Sequence, residues 1–439
     1  MFSRKDLLRL LFPLIIEQLL TVLVGMVDVV MVAAVGEAAV SGVALVDAIG
    51  VLIIQLMAAL ATGGAVVCSQ YIGQRKEETA RDTAGQLVLI TTVFSIITAG
   101  FALIFNRHIL KLIFGKVELD VMDNAVKYFG ITALSYPFLA VYNSCAALFR
   151  SMGNSRVSMM ASLAMNVMNV VGNAVCIYGL QMGVEGVALP TLISRVFAAA
   201  LIFFLISRPE HVLRISSLKQ FKPRLELIQK ILVVGVPSGL ENGMFQFGKI
   251  ALQSLVSTLG TAAIASFAVA SNLVTFHYLP GNAIGLGVIT IVGQCIGAGA
   301  YEEAKTYVKK LICLTYTLIF AVCVTMGIFS REIIGIYNLS PEASELARNM
   351  ILIHSAAMIV WPFSFTIPHA LRAGLDTKFT MAVSVFSMWV FRIGFAYFFV
   401  KVLNVGVMGV WFGMFIDWVF RALLYSGRFR GFSSRVRQV

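Results

Sequence analysis

The sequence predicts an all-α membrane protein of twelve transmembrane helices in two pseudo-symmetric six-helix bundles. Three observations predict it. Hydrophobic residues make up 59% and charged residues 13% of the 439, against roughly 45–50% and about 25% in a soluble domain. The mean hydropathy is +0.88, so the excess runs along the whole chain. The second half also repeats the first. A soluble protein of this size could not bury so much apolar side chain.

A spanning helix needs about 20 mostly apolar residues, and twelve such runs lie between charged or Gly/Pro breaks. The first, 12–34, follows Arg4, Lys5 and Arg9. It carries Glu17 and Asp28 and lacks an A-x-A exit, so it is expected to be retained rather than cleaved as a signal peptide. Runs 48–72 and 86–106 flank Arg75 and Lys76, runs 124–149 and 157–179 flank Arg150 and Arg156, and 186–207 closes the first six. Runs 231–257, 265–296, 308–329, 346–370, 379–402 and 406–426 make the second six. Strands are excluded, because the runs are too long and an open sheet cannot sit in lipid.

Alternate loops differ in charge. One set holds 23 of the 34 Lys and Arg, the other only five, Lys116 among them. The positive-inside rule then puts both termini in the cytoplasm, and low loop charge without organelle signals points to a plasma (inner) membrane. The basic loop 208–230 divides the chain: an N-lobe at 1–207, the cytoplasmic linker 208–230, a C-lobe at 231–426 and a basic cytoplasmic tail at 427–439. Topology thus accounts for the formal charge of +12, and no nucleic acid partner is expected. The six cysteines are scattered, with no CxxC and no His at metal spacing, so neither a disulfide framework nor a zinc site is indicated.

The halves align at an offset of 224 residues. Over 13–80 there are fourteen identities, including Pro13/Pro237, Glu17/Glu241, Gly36/Gly260, Gly63/Gly287, Gln70/Gln294 and Glu78/Glu302. The match resumes with small shifts, Arg150-Ser-Met-Gly-Asn-Ser155 against Arg372-Ala-Gly-Leu-Asp-Thr377 and then Gly183-Val-Glu-Gly186 against Gly406-Val-Met-Gly409. Duplicated six-helix units are a transporter design, with the substrate site between bundles and alternating access.

Acids inside spanning helices are costly, about 2.5–3.5 kcal/mol at mid-span, and mark function by default. Glu17 and Asp28 are eleven residues apart, about three turns and about 16 Å along one helical face. Asn166, Asn169 and Asn173 share one face of the fifth span. Asp28 reads either as a cation or proton site or as a residue neutralised by Lys249 or Arg195. Glu17 and Glu241, each four residues after a proline, read as gates, hinges or secondary proton sites. Lys249 is expected to neutralise Glu241, and Asp417 to pair with Arg421. His354 and His369 read as core residues, and Tyr136 and Asn143 as candidate cleft residues.

The paired prolines, Ser69-Gln-Tyr-Ile-Gly73 with Gly293-Gln-Cys-Ile-Gly297, and the two Arg-led loops resemble the multidrug and toxic compound extrusion (MATE) family over essentially the whole chain. The resemblance implies a V-shaped pair of six-helix lobes. It also implies export of small cationic or amphipathic organic compounds (drugs, toxins, metabolites) by antiport with H⁺ or Na⁺. In the family a first-span aspartate, a fifth-span Asn with an acid four residues later, and a sixth-span Thr form the coupling site; Asp28, Asn169, Asn173 and Thr191 stand at those positions. Asn173 replaces the acid, which leaves the coupling ion open. Apart from a Na⁺ at Asp28, no metal and no cofactor is expected, and the protein is expected to act as a monomer.

Other classes fit less well. Gly243-Met-Phe-Gln-Phe-Gly248-Lys249 imitates a phosphate loop but ends in Ile250, inside a span. No H-E-x-x-H or G-x-S-x-G motif occurs, so no enzyme is expected. A flippase for a lipid-linked precursor is the alternative transporter reading.

Overall fold

The structure, a computed structural model, describes residues 2–115 and 117–437. Lys116 and the last two residues of the expected tail lie outside the described residues. The rest is helical, with no strand among the described residues.

The first six spans are α1 (Arg4–Ala33), α2 (Glu37–Gly73), α3 (Glu77–Phe114), the pair α4 (Leu119–Leu134) and α5 (Tyr136–Ser151), α6 (Ser155–Ala174) and α7 (Glu185–Ile206). The second six are α8 (Leu225–Ser257), the pair α9 (Thr261–Leu273) and α10 (Thr275–Gly297), and α11 (Tyr301–Ile328) with the short α12 (Ser330–Gly335). The pair α13 (Pro341–Ala357) and α14 (Trp361–Ala373) follows. Next come α15 (Thr377–Phe386), continued by α16 (Phe395–Tyr397), and then α17 (Met408–Arg430) with the short α18 (Phe432–Val436).

Local chemistry explains the ends and breaks. Ser3 and Asp6 form a capping box on α1, with Ser3 N donating to Asp6 Oδ2 at 2.9 Å. Ser340 caps α13 ahead of Pro341. The α4–α5 pair bends by 46° at Ser135, just before Pro137, and α13–α14 by 56° before Pro362. π-helical stretches run over Val175–Gly179, Ser387–Gly394 and Phe398–Val402.

Nine helices are long and apolar enough to span by themselves, and the two bent pairs bring the total to eleven among the described residues. The twelfth expected span lies in α8, whose 33 residues exceed the need. Its composition differs because Ser238, Glu241, Asn242, Gln246 and Lys249 interrupt the apolar run.

Two compact units result, Phe2–Gly239 and the chain from Leu240 onward. In the first, α1 packs along α6, α2 lies against α3, α4 and α5, and α7 against α4, α5 and α6. Residues 208–230 are docked rather than loose. The Gln86 amide donates to the Gln220 and Lys222 carbonyls at 2.7 and 2.8 Å and accepts from Arg224 N at 2.9 Å, while Leu213 and Ile215 are buried. Residues 231–239 belong to this unit as well: a Cβ on Gly63 would stand 2.5 Å from the Ile231 carbonyl oxygen. In the second unit α10 packs on α11 and α14, and α17 on α14 and the π-bulged rod after α15.

The repeat is visible in the backbone. Left-handed residues recur in pairs: Gly36 with Gly260, Arg75 with Gly299, Gly115 with Asn338, Gly153 with Leu375, and Gln181 with Asn404. The offsets are 224, 224, 223, 222 and 223. It is equally visible in buried charge. Glu17 is buried and pairs with Arg150 at 3.2 Å, accepting also from Ser158 Oγ at 2.9 Å. Its repeat mate Glu241 pairs with Arg372 at 2.8 Å. The first helix of each half is thus tied to the Arg-led turn of the same half. The expected Glu241–Lys249 neutralisation is corrected here, because eight residues of helix separate them by about 12 Å, whereas the Arg372 turn reaches the carboxylate directly.

Removing one partner of such a buried pair strands the other, at about 3–5 kcal/mol. Arg372→Met is expected to lower the melting temperature of the purified protein markedly, and adding Glu241→Gln to restore part of the loss. Gly413 lets α17 approach the rod, since its Cβ would stand 2.7 Å from the Arg392 carbonyl oxygen. Gly413→Val is expected to cost about 1–3 kcal/mol by overpacking, measurable in the same melting experiment.

Candidate functional site

The first unit encloses a cavity of about 320 Å³ between α1, α2, α4, α6 and α7. Its wall is largely aliphatic, including Val24, Val32, Val43 and Val187. Its polar lining is Asp28, Asp47, Tyr128, Asn166, Asn169, Thr191, Ser194 and Arg195. Each helix contributes what its register dictates. The close packing of α6 on α1 and α7 turns the asparagine face of α6 toward Asp28 on one side and Thr191 on the other.

Asp28 is half-buried. Asn173 Nδ2 donates to its Oδ1 at 2.9 Å. The Asn169 amide lies between Asp28 and Thr191, and a carboxylate repels an amide oxygen. Turned with its nitrogen toward the acid, it donates to Asp28 at 3.0 and 3.3 Å, while its oxygen lies 2.9 Å from Thr191 Oγ1. Thr191 also hydrogen-bonds the Val187 carbonyl at 2.9 Å, which fixes its rotamer. The four residues expected to form a cation site therefore meet at one place. Asn173 is fully buried, and its own Oδ1 has no hydrogen-bond partner among the described residues.

Arg195 lines the same cavity but is not locked onto Asp28. It donates to Ser135 Oγ at 2.7 Å, at the break between α4 and α5, and among the described residues it forms no ion pair. A second acid escaped the sequence reading. Asp47 lines the cavity and receives the Tyr128 hydroxyl at 3.3 Å. The expected span began at 48, just past this acid, whereas α2 starts at Glu37 and carries Asp47 in its third turn, facing Tyr128 of α4. With both carboxylates ionised, two negative charges face one guanidinium, leaving one net negative charge for a monovalent cation or a proton to neutralise. No cluster of three or more His, Cys, Asp or Glu is present among the described residues, so any metal ion here would depend on Asp28 with amide and hydroxyl oxygens.

The other candidates lie elsewhere. Tyr136 is buried at the start of α5 and Asn143 is half-buried two turns on; neither lines the cavity. Glu17 and Glu241 are held by their arginines. His354 is buried, its Nδ1 2.8 Å from that of His277, with Trp411 and Trp418 edge-on to its ring. Asp417 pairs with Arg421 at 2.7 Å as expected.

Comparison with known proteins agrees with this architecture. The MatE family model matches residues 13–175 and again 237–398. An uncharacterised transporter, YisQ of Bacillus subtilis, is 28% identical over 428 residues, covering 96% of this chain and 93% of the relative. A probable multidrug resistance protein, NorM of Thermotoga maritima, is 25% identical over 429 residues, covering 96% and 91%. Among solved structures, a MOP superfamily transporter from Pyrococcus furiosus superposes with a TM-score of 0.92 at 22% identity, covering 99% of this chain and 97% of the other. The family model enters at Pro13 and re-enters at its repeat mate Pro237, and the shared fold runs nearly end to end, so the chain belongs to the MatE family of multidrug and toxic compound extrusion transporters.

Proposed function

We propose that this transporter exports cationic or amphipathic organic compounds across the plasma (inner) membrane, by antiport with H⁺ or Na⁺ and alternating access. Both termini lie in the cytoplasm, and the protein works as a monomer. The observation that carries this reading is Asp28: an acid in a spanning helix, opening on a cavity of about 320 Å³ and held by turnable amides rather than by a fixed cation.

In the proposed cycle Asp28 takes up H⁺ or Na⁺ while the site faces outward. An ionised carboxylate holds the Asn173 and Asn169 amides by their N–H groups. Once it is neutralised that hold weakens, the amides turn, and the cavity loses its net charge. A cationic substrate is then less well retained and leaves outward, and the ion is delivered inward. A Na⁺ would be ligated by the Asp28 carboxylate with the Asn169, Asn173 and Thr191 oxygens; for Asn173 the amide would have to present its unpartnered oxygen. One coupled charge supplies about 2.3 kcal/mol per 100 mV, and a proton adds about 1.36 kcal/mol per pH unit. For a substrate without net charge these sustain concentration ratios from about tens to about thousands at ordinary gradients. One-for-one exchange with a monovalent cation moves no net charge, and only the ion's own concentration gradient then drives export.

The test is ethidium efflux from proteoliposomes with a Na⁺ or a pH gradient imposed one at a time. Asp28→Asn is expected to abolish gradient-driven efflux while expression stays near normal. Undiminished efflux from that variant refutes the coupling role. The gradient that drives the wild type identifies the ion.

A further inference from the structure

The second unit buries an unusual surplus of positive charge. Three cations converge on one ring, with Lys249, Arg392 and Arg421 at 5.4, 5.1 and 5.5 Å from the centre of Phe245. One acid faces them. Asp417 is fully buried and is taken by Arg421 Nε at 2.7 Å and by the Ser387 hydroxyl. Arg421 also donates to Ser384 O at 3.1 Å, so it is well satisfied. Arg392 is not. It comes no nearer than 3.8 Å to Asp417, and its buried Nε has no hydrogen-bond partner. Lys249 lies over the ring of Phe245 and forms no ion pair among the described residues.

A ring face attracts cations without neutralising them, and Arg392 has only a long contact to an acid already taken by Arg421; an incompletely paired charge within a spanning segment marks a functional site by default. The bland alternative is that water alone solvates both groups. It accounts for Lys249, which is exposed, but not for Arg392, whose side chain is 11% exposed with its Nε turned away from solvent.

The duplication supplies a second, independent observation. Counted through the repeat, Lys249 corresponds to Gly25 at the offset of 224. Arg392 corresponds to Asn169 at the offset of 223 set by the matching π stretches Val175–Gly179 and Phe398–Val402. Gly25 and Asn169 both line the acidic cavity of the first unit. The basic cluster therefore occupies the place in the second half that the cavity occupies in the first.

We propose that Lys249 and Arg392, across the ring of Phe245, form an oxyanion subsite that takes the carboxylate or phosphate group of an amphipathic organic molecule. This rests on the export reading and narrows it: the substrates include zwitterions, in which an anionic group accompanies the cationic one. The guanidinium supplies planar donors to the oxyanion, and the ammonium supplies a second charge from the accessible edge.

The test uses the full chain in phosphatidylcholine nanodiscs with no ion gradient, and two dyes that share one xanthylium cation. Rhodamine B carries a free carboxylate; its ethyl ester does not. The wild type is expected to bind rhodamine B about fivefold or more tighter than the ester. Lys249→Gln and Arg392→Gln should each remove most of that preference without weakening ester binding, while Lys249→Arg retains it. Equal affinity of the two dyes for the wild type overturns the proposal, and so does an equal loss of both dyes in the variants. A repeat with phosphatidylglycerol in the disc separates the sources. Competition with rhodamine B that disappears in Lys249→Gln identifies a lipid phosphate as occupant, and its absence identifies a soluble one. Because no gradient is imposed, failure here leaves Asp28-coupled efflux standing, and failure of coupling leaves this subsite standing.

Discussion

A carboxylate placed among hydrocarbon has to be satisfied from within the protein, and this constraint organises both halves of the chain. It is met in two ways. Glu17, Glu241 and Asp417 each face an arginine at 3.2, 2.8 and 2.7 Å, a fixed charge that pins one helix to a neighbouring turn or to its own next turn. Asp28 is met by two asparagine side chains instead. An amide is neutral and has two faces, so it can present N–H to a charged acid and its oxygen to a cation or a protonated acid. A guanidinium has no acceptor face and would hold the acid ionised whatever else arrived. The exchange of Arg for Asn as the partner of the acid is what separates a structural tie from a site able to respond.

The structural ties in turn keep the responsive site in register. Glu17 lies three turns from Asp28 on the same face of α1, and its link to Arg150 and Ser158 anchors the end of α1 that is remote from the cavity. Ser158 belongs to α6, the helix that also supplies Asn169 and Asn173. The same two helices are therefore joined at one end by the Ser158–Glu17 hydrogen bond and at the other by the amide contacts. A shift of α1 along α6 would break that buried hydrogen bond to the Glu17 carboxylate as well as misalign Asp28.

Much of this was legible in the sequence, and the limits are informative. Apolar run length located the spans because hydrocarbon thickness sets a length that loops do not share. The i, i+3, i+7 spacing put Asn166, Asn169 and Asn173 on one face, and two of the three reach Asp28 or Thr191. Asp47 was missed because an acid was itself read as the end of a span, although α2 runs ten residues ahead of it. The partners of Glu17 and Glu241 were missed because they lie 133 and 131 residues away, and pair distances across a fold have no local signature. The repeat was only partly visible. Where a left-handed position holds glycine in both halves, as at Gly36 and Gly260, the residues announce it. Where it holds Arg75 against Gly299 or Gly153 against Leu375, the backbone has kept the shape after the side chains ceased to record it.

That divergence of side chains on a retained backbone explains how one duplicated scaffold can carry two chemistries. Packing constrains the positions where helices touch. Residues that line a cavity or an accessible edge are bounded mainly by charge balance, so they are free to change sign as a group. In the first half, Asp28 and Asp47 face the single cation Arg195. In the second, the position of Asp28 is Leu252, that of Asp47 is Ser271, and those of Gly25 and Asn169 are Lys249 and Arg392. Four substitutions at equivalent places remove two negative charges and add two positive ones, while the π stretches, the broken helices and the Glu–Arg ties remain. On the proposed reading, a scaffold polarised in this way suits molecules that carry both signs of charge, and an ion taken up at Asp28 needs to cancel only one of them.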